Sequence, residues 1–187
     1  MTKPMLLDNK ANGKVIDELR KKTNDGSKLS VLSAVFSIYG FSALRKELSK
    51  IDSMRLLLGD PEAPSLDYLT GAPDDTPLKA NLDLQRIAAE CAAWVDKKAS
   101  VRKLKGPALP QNIFHISDPQ GSSCAVTGTA SLSAASMGAI PSTKLAMNQV
   151  MTDPESTRQL LEWFDNVWND LGDQTRPSAR SRKLPYR

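Results

Sequence analysis

Two short, almost continuous apolar runs, Lys28 to Phe36 (KLSVLSAVF) and Ser53 to Leu58 (SMRLLL), lie either side of a segment in which Phe41, Leu44, Leu48 and Ile51 recur at helical spacing. Runs of this length, ended by Gly40 and by Gly59-Asp60-Pro61, read as buried strands, and the segment between them reads as a helix. The alternation continues along the chain. Residues 9–22 read as a first helix, with Val15, Ile16 and Leu19 on one face and Asn9 or Asn12 able to cap it. Leu84, Ile87, Cys91 and Trp94 repeat at threes and fours, as on an amphipathic helix. Val101 to Leu104 reads as a short edge strand. Ile113–Ile116 and Ser123–Thr127 flank Asp118-Pro119-Gln120-Gly121, which predicts a β-hairpin. Lys144 to Met151 holds one more strand. Asp153-Pro154-Glu155 opens a last helix with a capping carboxylate, a proline in the first turn and an acid at the positive end of the dipole. Its residues Leu160, Leu161, Phe164, Val167, Trp168 and Leu171 face the core. Interleaved in this order, the segments predict an α/β fold: a mixed β-sheet flanked by helices on both faces.

With 187 residues, 40% hydrophobic and 25% charged, the chain has enough apolar material for one ordinary domain. We place that domain at residues 1–172, followed by a basic flexible tail at 173–187. Residues 60–77, rich in proline and acids, read as a surface loop. The apolar stretch Leu29–Phe41 is too short to cross a bilayer, and residues 1–8 lack the long apolar core of a signal peptide. A cytoplasmic protein without a membrane partner is expected. Two cysteines, Cys91 and Cys124, and one histidine, His115, occur without a CxxC or HxxH pair. Buried reduced thiols are expected, with no metal and no cofactor. No Gly-rich phosphate loop and no Gly-x-Ser-x-Gly are present.

The formal net charge is +4, and the cations are clustered: Arg20-Lys21-Lys22, Lys97-Lys98, Arg102-Lys103-Lys105, and Arg176, Arg180, Arg182, Lys183 and Arg187 near the end. Such clusters are either solvated faces or a footprint for nucleic-acid phosphates. Trp94, Trp163 and Trp168 fall on helical apolar faces and read as core or interface.

Four phrases in order, LSVLSAVFSIYGFSALRKEL (29–48), MRLLLGDPE (54–62), IFHISDPQGSSCAVTGTASLSAASMG (113–138) and DPESTRQLLEWFDNVWND (153–170), resemble the phospholipase D superfamily. The resemblance is to the one-motif domains of bacterial helicases and restriction nucleases, and it runs from about residue 8 to 171. It implies a site in which a histidine attacks a phosphodiester while a lysine two residues on, and a Gly-Ser-x-Asn turn on the neighbouring strand, hold the phosphoryl oxygens. Here the motif is degenerate. Gly128-Thr129-Ala130-Ser131 occupies the turn. Hairpin symmetry about Pro119-Gln120-Gly121 sets Thr129 opposite residue 111, so the histidine and lysine correspond to Pro110 and Asn112. If His115 were instead the histidine, the lysine position would be Ser117. A further acidic position of the subfamily falls near Ala146.

The resemblance therefore implies the fold without the usual catalysis, and a groove lined by Asn112, Thr129, Ser131 and Ser133 in which phosphate oxygens could be hydrogen-bonded without cleavage. The expected function is a catalytically degenerate phospholipase D-like domain that binds DNA phosphates non-specifically, a helicase or restriction partner, or both. Arg102, Lys103, Lys105, Arg176, Arg180, Arg182 and Lys183 would grip the backbone. The resemblance also implies a homodimer, joined through the small residues of 128–140, and admits that the chain is part of a longer helicase protein. The alternatives are a nuclease with a divergent site using His115, and a dimeric adaptor that binds only protein.

Overall fold

The computed structural model describes residues 5–59, 84–105 and 111–173. These form β1 (Met5–Leu7), α1 (Val15–Lys22), β2 (Lys28–Ser33), α2 (Ile38–Ala43), α3 (Arg45–Leu48), β3 (Ser53–Leu58), α4 (Leu84–Lys98), β4 (Ala99–Leu104), β5 (Asn112–Ser117), β6 (Ser123–Gly128), β7 (Asn148–Met151), α5 (Pro154–Asp170) and β8 (Gly172–Asp173). The strands make one mixed sheet in the order β1-β7-β6-β5-β2-β3-β4-β8. β2, β3 and β4 run parallel, and every other pairing is antiparallel.

Because side chains alternate along a strand, β2, β3, β5 and β6 are apolar on both faces. Leu29 and Val31, Met54 and Leu56, Phe114 and Ile116, Cys124 and Val126 point into a large core with α1 to α4. The intervening Leu32, Leu57 and Ile113 point the other way, into a smaller core with Leu104 and with Phe164 and Trp168 of α5. Helices cover both faces. Among the described residues no helix is long and apolar enough to cross a membrane.

The helix ends follow from capping chemistry. Asp153 Oδ2 accepts the Ser156 N–H at 2.8 Å, and Pro154 opens α5. That hydrogen bond holds the Asp153 carboxyl below the usual aspartate range. At α1 the N-cap residue is Lys14, whose side chain makes no cap. Asn9 supplies it from a distance: its Oδ1 accepts the Val15 N–H at 3.0 Å, while its Nδ2 donates to Ser136 O at 2.8 Å. Residues 9–14, expected in the first helix, thus form the loop that carries the cap. Asn12 Nδ2 instead donates to Asp8.

Gly40 does not end a strand. β2 stops at Ser33, and Gly40 lies inside α2, capped by Ser37. A Cβ there would stand 2.4 Å from Leu132 O, so glycine admits the backbone of 132–133 against the helix. β1 and β8 were not foreseen. Asp173, assigned to the tail, pairs with Lys103 in the sheet. Leu161 is only half-buried, and Trp163 points outward, 41% exposed, whereas Trp94 and Trp168 are buried. Trp94 Nε1 donates to Leu48 O at 2.9 Å, which ties α4 to the end of α3. The loop expected at 60–77 and the remainder of the tail lie outside the described residues.

Candidate functional site

The resemblance places a site where β2, β3 and β6 end and β5 and β7 begin. The fold brings Ser33, Asn112, Gly128 and Asn148 together there. This is the carboxyl edge of the parallel strands, where open α/β sheets commonly bind ligands. The hairpin has the register derived from its symmetry: Asn112 is opposite Gly128, and His115 is opposite Ala125. Thr129 therefore falls beside residue 111. Pro110 lies outside the described residues.

Asn112 is buried and bonded at both ends of its amide. Oδ1 accepts the Ala34 N–H at 2.8 Å, and Nδ2 donates to Thr129 O at 3.2 Å and Gly128 O at 3.4 Å. A lysine at this place would present an ammonium to a phosphate. The asparagine instead links the exit of β2 to the exit of β6.

The turn that follows is closed in the same way. A phosphate cradle needs backbone N–H groups turned toward the ligand. Here Thr129 N–H donates to Met147 O at 3.2 Å, and Ala130 N–H to Asn148 Oδ1 at 2.9 Å. Ser131 N–H donates to Ser136 Oγ at 3.0 Å, Leu132 N–H to Ser33 Oγ at 2.9 Å, and Ser133 N–H to Ser131 O at 2.8 Å. All five donors are taken. The hydroxyls are engaged too: Thr129 Oγ1 accepts Met147 N–H at 3.1 Å, and Ser136 Oγ lies 3.0 Å from Ser131 Oγ and 2.8 Å from Ser133 Oγ. Gly128 is required at the start of the turn. Its φ is +147°, and a Cβ would meet Met147 O at 2.2 Å. Asn148 Nδ2, buried, has no partner among the described residues.

His115 is not part of this arrangement. Asn112 and His115 are an odd number of residues apart on one strand, so their side chains leave opposite faces of the sheet. His115 is 1% exposed. Its Nε2 lies 3.1 Å from Thr157 O. A carbonyl only accepts, so Nε2 carries the proton and Nδ1 faces Ser117 Oγ at 3.4 Å. Burial, the largest influence, lowers its pKa. The histidine pins α5 to β5.

The predicted phosphate contacts are divided. Arg102 lies over Trp168, with Cζ 4.4 Å from the ring centroid, and its Nη1 donates to Trp168 O at 2.8 Å. Its guanidinium thus closes the end of α5. Lys103 and Lys105 are exposed. β4 is three strand spacings from β5, or about 14 Å. Arg176, Arg180, Arg182 and Lys183 lie outside the described residues. Cys91 and Cys124 are free and buried, and burial pushes their thiols up to about 12 and about 11. Sequence reasoning passed over Arg55, the one charge within SMRLLL. It meets Asp165 at 2.6 Å and Ser30 Oγ at 2.9 Å, and lies 4.9 Å from the Phe164 ring centroid.

No protein-family model matches the sequence, and no curated protein matches it. Solved structures do. NucT from Helicobacter pylori is 14% identical, with a TM-score of 0.57 over 91% of this chain and 99% of that one. TrmBL2, an archaeal chromatin protein whose structure shows a novel mode of DNA binding, is 9% identical, with a TM-score of 0.53 over 93% of this chain. The chain spans 55% of the length of TrmBL2. The mixed sheet, its helices on both faces and the likeness to NucT make the fold phospholipase D-like.

Proposed function

We propose that this chain is a phospholipase D-like domain that binds nucleic-acid phosphates without hydrolysing them. The observation that carries this reading is Asn112. It stands where the resemblance calls for a lysine, and both ends of its amide are bonded within the fold. A phosphodiester at this edge would find no lysine at that position to offset the charge that develops as the bond breaks. The likeness to a DNA-binding structural neighbour and the net charge of +4 support DNA as the polyanion. Lys103, Lys105 and the cations of 173–187 are the contacts proposed, giving sequence-indifferent, salt-sensitive binding.

The working unit proposed is a homodimer that serves a helicase or restriction partner. Residues 130–135 and Met137 are buried within the chain, so the apolar area proposed for that interface is that of Leu145, 93% exposed, and Met147, 66% exposed, beside the exposed Thr129. The test is a gel-shift series on duplex DNA at rising salt, run beside a nuclease assay and light scattering. Binding in the micromolar range with a steep salt dependence and no cleavage is expected. Cleavage lost in His115→Ala overturns the non-hydrolytic reading, and no binding at about 50 mM salt leaves the adaptor reading as the better account.

A further inference from the structure

The C-terminal ends of α1, α3 and α4 converge on residues 48–51. Arg20 of α1 donates to Ala43 O at 2.9 Å, and Gly26 N–H, just past α1, donates to Lys50 O at 2.9 Å. From α4, Trp94 reaches Leu48 O, and Lys98 Nζ donates to Ser49 O at 2.8 Å and Ile51 O at 2.6 Å. α1, α3 and α4 precede β2, β3 and β4, which are neighbouring parallel strands, so the lysines of their last turns and exits lie along one edge of the sheet and form a ridge: Lys21 and Lys22, then Lys46 and Lys50, then Lys97.

Arginines take the acids on this face and leave the lysines. Arg20 pairs with Asp17 at 3.8 Å, and Arg45 and Arg86 share Glu90 at 2.6 and 3.0 Å. Among the described residues none of the five ridge lysines forms an ion pair. Asp25, Glu47, Asp96 and Asp118 are the acids left nearby, with Asp25 and Asp118 lining one pocket with Lys50. The opposite helical layer has the reverse charge. On α5, Glu155, Glu162, Asp165 and Asp170 outnumber the helix's one cation, Arg158, which is already paired with Glu155 at 2.6 Å and with Glu162, while Asp165 pairs with Arg55 of β3.

We infer that duplex DNA lies along the Lys21–Lys50–Lys97 ridge, a second phosphate-binding surface at the end of the sheet remote from the degenerate motif. The acidic α5 face turns the polyanion away from the other layer and sets its orientation. Lysine heads on flexible stems suit backbone phosphates and carry no sequence readout.

This inference rests on the DNA-binding reading above. It is tested by fluorescence anisotropy with a short labelled duplex, comparing wild type with Lys21→Gln/Lys46→Gln/Lys50→Gln/Lys97→Gln across a salt series. Each lost phosphate contact removes about 0.9 from the log–log slope, so the slope should become shallower by about 3 to 4. Lys103→Gln/Lys105→Gln should remove no more than about 2. Acetylation footprinting of the wild type needs no variant and should show Lys21, Lys46, Lys50 and Lys97 protected by DNA. An unchanged slope, or ridge lysines acetylated equally with and without DNA, overturns the inference while leaving DNA binding intact. A wild type that does not bind overturns both.

Discussion

The two faces of the sheet are held by different chemistry. On one, α1 to α4 bury an almost wholly apolar set, from Val15 and Ile16 through Leu56 and Phe114 to Met137. On the other, one helix covers a small cluster interrupted by Ser30, Arg55, His115, Thr157 and Asp165. The first face is redundant, because many side chains from several helices share the burial. Among the described residues the second depends on α5 alone, so each contact that docks α5 is individually important, and polar contacts supply the orientation that a larger apolar area would otherwise give.

The largest effect should come from removing the centre of the α5 face. Phe164 is fully buried, touches Trp168 with ring centroids 6.0 Å apart, and lies beneath Arg55. Phe164→Ala should cost about 4 kcal/mol in urea unfolding, and Leu56→Ala on the other face about 3 kcal/mol. The comparison is sharpened by native-state hydrogen exchange. Phe164→Ala should raise exchange selectively in α5, whereas Leu56→Ala should lower protection across the sheet. Uniform loss in both variants would show that the faces are not separable.

Next in size is the polar docking of α5. Arg102→Ala removes the cation over Trp168 and the donor to its carbonyl, and should cost about 1–2 kcal/mol. Arg55→Ala should cost about 1 kcal/mol, since the Arg55–Asp165 pair is partly open to water. A double-mutant cycle with Asp165→Ala should return a coupling of about 0.5–1 kcal/mol. A coupling of zero would show that the pair does not orient α5.

Cysteine reactivity probes the apolar face in the same spirit. Cys91 and Cys124 are buried, with thiols pushed up to about 12 and about 11. Neither should be alkylated by iodoacetamide at pH 8 in the native state over a period that labels both in urea. Fast labelling of Cys91 alone would show α4 opening independently of the sheet.

How much of this was legible in the sequence depended on range. β2, β3, the hairpin and α5 were readable because each declares itself within about ten residues, by apolar runs, by Pro-Gln-Gly or by Asp-Pro-Glu. The hairpin register followed from the same local symmetry, and with it the place of Asn112. What was missed depends on distant partners. β1 and β8 are three and two residues long and exist only through β7 and β4. Gly40 looked like a breaker because the backbone it admits, at Leu132, is remote in sequence. Thr129, Ser131 and Ser133 resembled a phosphate-binding set because the groups that close the turn lie elsewhere in the fold: Met147 and Ser136 engage the hydroxyls, and Asn148 and Ser33 take the Ala130 and Leu132 N–H groups. Arg102 read as a surface cation because Trp168 could not be placed beneath it.

The smallest effect is a pH dependence carried by one residue. His115 is the sole histidine, and burial lowers its pKa in the folded state relative to about 6.5 in the unfolded chain. Above that value both states hold a neutral ring, so the histidine contributes no slope. As pH falls through about 6.5 the unfolded chain takes up a proton that the folded protein refuses, and stability declines. The decline ends once pH passes below the folded value. The carboxylates whose pKa values are lowered, Asp8, Asp118, Asp153 and Glu155, begin to act only at lower pH, so the onset of the decline belongs to the histidine. His115→Gln keeps a donor for Thr157 O and removes the titration. Urea midpoints measured from pH 8 to pH 5 should fall in the wild type below about pH 6.5 and stay level in the variant. Parallel curves for the two proteins would place the proton uptake elsewhere and leave His115 as a packing residue alone.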